Sequence, residues 1–329
     1  MPAGCPQQVA KRGAKVSSSA DTPTRRERAK ITAGAIAACT LWSSAFIFIK
    51  IGGAWMPPLQ FAGWRFLFSG LVLLPWLPRA CGCTWREIGA TIARSWHMLV
   101  LLGLLQIGLK YAFFYIGLSF IPAALGAMLS GAGPLIVALV VRGVNREEEI
   151  SGRMWGALLL GLLGVVTLTL GRQRMGAVGD WALLGIALIL LNNVVSALGD
   201  IAVSKEKRGI SPMLIASASL VAGGAGLLAV GIPVEGWVSP VVGEWRFYVS
   251  LVALCSISSI GFSIWFTLLK KPYVRVASLN FWKFLIPLFG AMLAWLVMPD
   301  EHPTLVAILG MAFIVGALLL FNRSSRQRG

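Results

Sequence analysis

Apolar residues run along this chain in blocks of about 20 residues, the length a helix needs to cross a bilayer, and short polar connections separate them. Lipid offers no hydrogen-bond partner to open backbone, so each block is expected to be a helix. The blocks are Ile31–Lys50, Leu59–Pro78, His97–Phe120, Ala123–Val141, Met154–Gly171, Trp181–Val203, Ser211–Gly231, Phe247–Leu269, Val276–Met298 and Thr304–Phe321. Pro57-Pro58, Pro122, Pro212, Pro272, Pro299 and Pro303 punctuate the connections. The pattern predicts an all-α membrane protein with ten transmembrane helices, a disordered basic tail over 1–30 and a short basic tail over 322–329.

Composition agrees. Of 329 residues, 57% are apolar and 13% charged, and mean hydropathy is +0.78. Soluble domains are nearer about 45–50% apolar and about 25% charged. A cytosolic enzyme, a nucleic-acid module and a disordered chain are thereby excluded. The net charge of +16 suggests nucleic acid until the basic residues are sorted by loop. Lys11, Arg12, Lys15, Arg25, Arg26, Arg28 and Lys30 lie in the N-terminal tail. On the same side fall Arg79, Arg86 and Arg94; Arg142, Arg146 and Arg153; Lys205, Lys207 and Arg208; Lys270, Lys271 and Arg275; and Arg323, Arg326 and Arg328. The opposite side holds only Arg172, Arg174 and Arg246. Basic loops stay cytoplasmic, so both termini are expected there, in a multi-pass protein of the plasma (inner) membrane. An odd number of spans would scramble this partition. The charge is then topology and contact with anionic lipids, with no nucleic-acid partner. Cys5, Cys39, Cys81, Cys83 and Cys255 carry no zinc spacing and no clear disulfide pattern. No signal peptide is expected.

The chain also repeats. Pro58 and Pro212 are 154 residues apart, and each opens a span; Pro134 and Pro287 are 153 apart, and each lies inside one. At the second offset Phe113 meets Phe266, Ala124 meets Ala277 and Leu135 meets Leu288. Residues 31–171 and 181–321 therefore read as two five-helix halves. Five is odd, so the second half is inverted relative to the first, an arrangement that transporters use to place substrate between the halves.

At Leu41-Trp42-Ser43-Ser44, Pro57-Pro58 with Arg65-Phe66, Ile121-Pro122-Ala123-Ala124 leading to Pro134, and Pro287 leading to Glu301 and Gly310-to-Gly316, the sequence resembles the EamA-type members of the drug/metabolite transporter superfamily. The resemblance spans about residues 31–321. It implies ten helices in two inverted EamA repeats, cytoplasmic termini and movement of small metabolites. Substrates across the superfamily include amino acids, drugs, sugars and nucleotide sugars. The acidic residue recurring after the fourth span in that family corresponds loosely to Glu147-Glu148-Glu149.

Lys50, Arg65, Lys110 and Lys283 lie inside the expected spans. A cation at the bilayer centre costs about 2.5–3.5 kcal/mol on insertion scales. Lys50 snorkels from its helix end. Arg65 is expected to be a structural charge that anchors the fold on backbone carbonyls, with substrate contact as the second reading. Lys110 is central, beyond snorkelling reach. Gln106, Lys110 and Phe114 share a helix face by their i, i+4, i+8 spacing, with Tyr111 and Tyr115 beside it. Asn280 and Lys283 sit just before Pro287. Asn192, Ser196 and Asp200 form a second polar stripe that runs toward the cytoplasmic end of the sixth span, and Trp42 and Ser43 add polar and aromatic groups to the first. The spacing leaves no acid at mid-depth. The functional reading is a hydrated substrate cavity with Lys110 attracting a carboxylate or phosphate. The structural reading pairs Lys110 with Asp200 or carbonyls. Lys283 reads equally either way. Pro134 and Pro287 are candidate gating points; Asp200 is the one acidic candidate for proton coupling, with a buried lysine as the other proton carrier and facilitated exchange as the alternative to coupling.

His97 and His302 fall at opposite faces, and no nucleophile–base pair, metal-ligand set or phosphate loop occurs. The expected function is secondary transport, in the export direction, of a small anionic or zwitterionic metabolite or drug-like compound, by a monomer or homodimer that needs no cofactor or metal and is not an enzyme. The alternatives are a membrane scaffold and an intramembrane enzyme.

Overall fold

The computed structural model describes residues 24–144, 150–172, 179–239, 243–297 and 302–326, and these form helices and connections without a strand. Glu147–Glu149, Glu301, Cys5 and most of the N-terminal tail lie outside the described residues.

In chain order the helices are α1 (Arg25–Gly52), α2 (Pro58–Cys81), α3 (Trp85–Leu118), α4 in two pieces (Ala123–Gly131 and Gly133–Val144) and α5 (Gly152–Arg172). The second half gives α6 (Ala182–Ser204), α7 (Pro212–Glu235), α8 (Trp245–Leu269), α9 (Val276–Leu296) and α10 (Leu305–Arg326). Among the described residues eight helices are long and apolar enough to cross a membrane. The bent α4 pair makes a ninth if it crosses as one span. In α10 the apolar stretch Leu305–Phe321 falls short of the same length.

Several boundaries differ from expectation for local reasons. Helix α1 starts at Arg25 rather than Ile31, because Thr24 and Glu27 form a reciprocal capping box around its first turn. Helix α3 starts twelve residues early, at Trp85, under an identical Thr84–Glu87 box. Helix α4 bends by 40° at Ala132, two residues before Pro134. Helix α9 passes through a 3-10 turn at Trp282–Phe284, just before Pro287. A proline removes one amide donor and crowds the carbonyl four residues back, so both breaks sit where that ring acts. In α3 the turn Leu104–Gly108 is π-helical, one residue wider than its neighbours.

The halves pack by exchange. Helix α1 lies on α8 as α6 lies on α3. Helix α1 touches α9 as α6 touches α4. Helix α3 meets α7 as α8 meets α2, and α5 meets α4 as α10 meets α9. Swapping the first five helices for the second five leaves these pairings unchanged. The two remaining large contacts, α2 with α7 and α5 with α10, join equivalent helices. Along the first of them, Gly63 faces Leu228, Gly224 faces Leu67 and Gly70 faces Val221. One index rises as the other falls, so α2 and α7 are antiparallel. Equivalent helices that run in opposite directions make the second half an inverted copy of the first.

Both of these contacts need backbone-to-backbone approach. A Cβ on Gly224 would sit 2.5 Å from the Leu67 amide nitrogen, and one on Gly310 would sit 2.3 Å from that of Leu168. Small residues at such crossings replace a hydrophobic drive that lipid does not supply. The outer surface is apolar accordingly: Leu183, Leu296 and Leu305 are each more than four-fifths exposed.

Polar ties close the two ends. At the basic end Lys270 pairs with Glu206, and it also donates to the Ile210 carbonyl. At the other end the Glu235 carboxylate accepts from the Leu59 and Gln60 amides at the start of α2 (2.8 and 3.0 Å), where the helix dipole favours an anion.

Candidate functional site

The centre of the polar interior is Asp200. Helix α6 packs on α3, α8 and α9, so Asp200 is covered although only four residues separate it from the end of its helix; it is 1% exposed. One carboxylate oxygen accepts from Gln106 Nε2 at 2.9 Å and from Trp265 Nε1 at 3.3 Å. The other accepts from Asn280 Nδ2 at 2.9 Å and from Lys283 Nζ at 3.2 Å. Asp200, the acid of the expected polar stripe on α6, is thus a fully engaged buried carboxylate. Its place close to the end of α6 and its burial are compatible, because α3, α8 and α9 cover that end of the helix. A fully solvated carboxylate loses several kcal/mol of hydration on burial unless charge and donors replace it; here four donors do.

The two lysines divide the roles that the sequence left open. Lys283, on the 3-10 turn of α9, forms the ion pair. Its ammonium also stands 4.8 Å from the centre of the Trp265 ring. Lys110 lies within electrostatic reach of Asp200 and Lys283, yet among the described residues it makes no ion pair. It is half-buried and rests 5.1 Å from the centre of the Tyr111 ring.

Tyr111 connects this lysine to Arg65. The Arg65 guanidinium is 5.6 Å from the same ring centre and 4.3 Å from that of Phe66. The Phe66 and Tyr111 rings are themselves 4.7 Å apart. From Phe66 the aromatic wall continues through Phe262 to Trp42, and from Trp42 to Trp265 at 5.2 Å. The interior thus holds an acid–base pair, two more cations that share the Tyr111 ring, and a wall of rings. The indole N–H of Trp42, the Nε–H of Arg65 and the amide oxygen of Asn280 are buried without partners, leaving two spare donors and one spare acceptor.

The other expected residues are placed differently. Phe114 packs edge-on against Tyr115 and joins a satellite cluster with Ile121 and Ile189. The π turn across Gln106 breaks the regular spacing that put it on one face with Lys110 and Phe114. Ser43 is fully buried, and its hydroxyl donates to the carbonyls of Cys39 (2.7 Å) and Ile286 (3.2 Å). Asn192 is buried and bonds Asn193 at 3.3 Å. Ser196 is buried one turn from Asp200. Pro134 is buried beside the α4 bend, and Pro287 is half-buried after the α9 turn. Sequence reasoning missed Trp265 and Asn193, whose amide donates to the Leu129 carbonyl at the α4 bend (2.8 Å). Asn193 follows Asn192 in an apolar helix and could have been noticed; Trp265 is one of 13 tryptophans and carries no such signal.

This arrangement can attract an anion by its surplus of basic groups and hold an apolar or aromatic body on its rings. It contains no nucleophile with a base. Among the described residues no group of three or more His, Cys, Asp or Glu is placed to hold a metal ion.

Comparison with known proteins fits both halves. The chain is 28% identical over 296 residues to an uncharacterized transporter, YvbV, of Bacillus subtilis, covering 88% of this chain and 90% of that one. It is 25% identical over 296 residues to an S-adenosylmethionine/S-adenosylhomocysteine transporter of Chlamydia muridarum, covering 87% and 90%. It is 23% identical over 303 residues to a probable amino-acid metabolite efflux pump of Escherichia coli, covering 87% and 92%. The profile of the EamA-like transporter family matches residues 30–170 and again 183–323. With two matched repeats and a helix packing that maps each half onto the other, the chain belongs to the EamA-like transporter family.

Proposed function

We propose that this protein is a secondary transporter that exports a small zwitterionic or anionic metabolite by alternating access, with the negative group seated at Lys110. The observation that carries the reading is the inequality of charge inside the bundle. Asp200, the acid at the centre of the polar interior, is already engaged by Lys283. Lys110 has no carboxylate of its own among the described residues and keeps partial exposure. An intramembrane cation in that state points to a ligand. The relatives add chemistry: S-adenosylmethionine, S-adenosylhomocysteine and amino-acid metabolites carry a carboxylate beside an amino group. The efflux relative supports the outward direction. In this reading Asp200 receives the substrate's ammonium group or a proton when Lys283 leaves it. Ten helices, halved at 31–171 and 181–321, rock about the site with both termini in the cytoplasm.

The test is exchange of labelled amino acids and carboxylates across proteoliposomes. Wild-type protein is expected to exchange at least one of these compounds. Lys110→Met should lower that exchange at least tenfold while leaving the melting temperature unchanged or raised, and Lys110→Arg should retain part of it. Exchange by Lys110→Met at the wild-type rate would remove the charge from the mechanism. Reagents impermeant to membrane should label cysteines placed at either terminus only from the inner face.

A further inference from the structure

We infer that Arg65 is not an anchor of the fold but the second cation of the substrate's anion site, acting with Lys110 across the Tyr111 ring. This rests on the reading of an anion-binding interior and names the residue that gives it geometric selectivity.

The face of the Arg65 guanidinium is satisfied and its N–H edge is not. Arg65 is 3% exposed on α2. An arginine that anchors a fold from such a position has carboxylates or carbonyls on its N–H edge, because buried donors are paired. Here the neighbours are rings, Phe66 at 4.3 Å and Tyr111 at 5.6 Å. A ring interacts with the cationic face and offers nothing to the in-plane donors. Nε is buried with no hydrogen-bond partner, and no described acid pairs with the side chain. The charge is thus held in place by aromatic contacts while its edge stays unanswered. Lys110 shares the Tyr111 ring at 5.1 Å and is unpaired as well. Two cations that share one aromatic support, with Asp200 committed to Lys283, form a receptor for one more negative group. Arginine's fork fits both oxygens of a carboxylate, and lysine adds a point charge. Phe66, Phe262 and Trp42 continue the wall away from this pair, so the group expected there is a carboxylate on an apolar or aromatic body.

Benzoate and its uncharged counterpart benzamide test this with the full chain in neutral-lipid nanodiscs, read by quenching of tryptophan fluorescence. Wild type should bind benzoate saturably and at least tenfold more tightly than benzamide. Arg65→Lys, which keeps the charge and loses the fork, should weaken benzoate at least fivefold, and Arg65→Gln should weaken it further. Neither should alter the response to benzamide, and Arg65→Lys should melt within a few degrees of wild type. If Arg65→Lys and Arg65→Gln bind benzoate as wild type does while Lys110→Met does not, Arg65 is an anchor and the proposed function stands without it. If the Arg65 variants lose benzoate and Lys110→Met keeps it, the Lys110 reading and the pairing of the two cations both fall, and Arg65 holds the anion alone. If benzoate binds wild type no better than benzamide, or no variant changes it, both are overturned.

Discussion

Helices α4 and α9 hold the same place in the two halves and carry prolines 153 residues apart, yet their breaks do different things. In α4 the break is a 40° bend at Ala132, and the group that answers it is an amide: Asn193, from α6, donates to the Leu129 carbonyl. In α9 the break is a 3-10 turn, and it presents Lys283 to Asp200. The matching brace there comes from α1, where Ser43 donates to the Ile286 carbonyl. An inverted repeat thus supplies two equivalent weak points in the backbone. Among the described residues, an ion pair stands at only one of them. Symmetry provides the scaffold, and the chemistry lies in its departures from symmetry.

The largest effect should come from removing the charge that holds the α9 break. Asp200→Asn leaves the Lys283 ammonium without its carboxylate among buried groups. Breaking one partner of a buried pair costs about 3–5 kcal/mol, so a large fall in melting temperature is expected, together with loss of transport. The double variant Asp200→Asn/Lys283→Met removes both charges, and it should recover most of the stability while staying inactive. Thermal unfolding in detergent followed by the exchange assay reads both quantities. A double variant as unstable as the single one would show that the pair is not what secures this break.

How much of this was legible from sequence follows from the range of each interaction. The helices were readable, since lipid enforces them block by block, and so were the two prolines. The early starts of α1 and α3 were also present in the sequence as Thr24-to-Glu27 and Thr84-to-Glu87; a reading led by apolarity passed over them because those turns lie outside the apolar blocks. Polar residues in apolar helices identified Gln106, Lys110, Asp200, Asn280 and Lys283 as a set. Their pairing was not readable. It depends on how α6 docks against α3, α8 and α9, which makes Lys283 rather than Lys110 the partner of Asp200 and turns Ser43 toward backbone. The unanswered edge of Arg65 is likewise a fact about neighbours brought from α3, invisible on α2 alone.

The smaller effects refine the contrast between the two braces. Asn193→Ala removes the donor to the Leu129 carbonyl. That oxygen still receives the Ala132 amide at 3.2 Å, so the loss should be about 1 kcal/mol, the ordinary worth of one buried hydrogen bond. Ser43→Ala should cost less than about 1 kcal/mol, since its hydroxyl divides itself between two carbonyls, the nearer one belonging to its own helix. Function should rank the same way for a reason separate from stability. The α4 bend has no ion pair among the described residues to hold it, so loss of its amide brace frees the bend itself. The α9 turn keeps Asp200 and Lys283 when Ser43 is lost. Exchange rates measured beside melting temperatures would separate the two: Asn193→Ala should slow exchange by more than its stability loss explains, and Ser43→Ala should leave it close to wild type. The reverse order would mean that the charged break, and not the bent one, is the movable element of the pair.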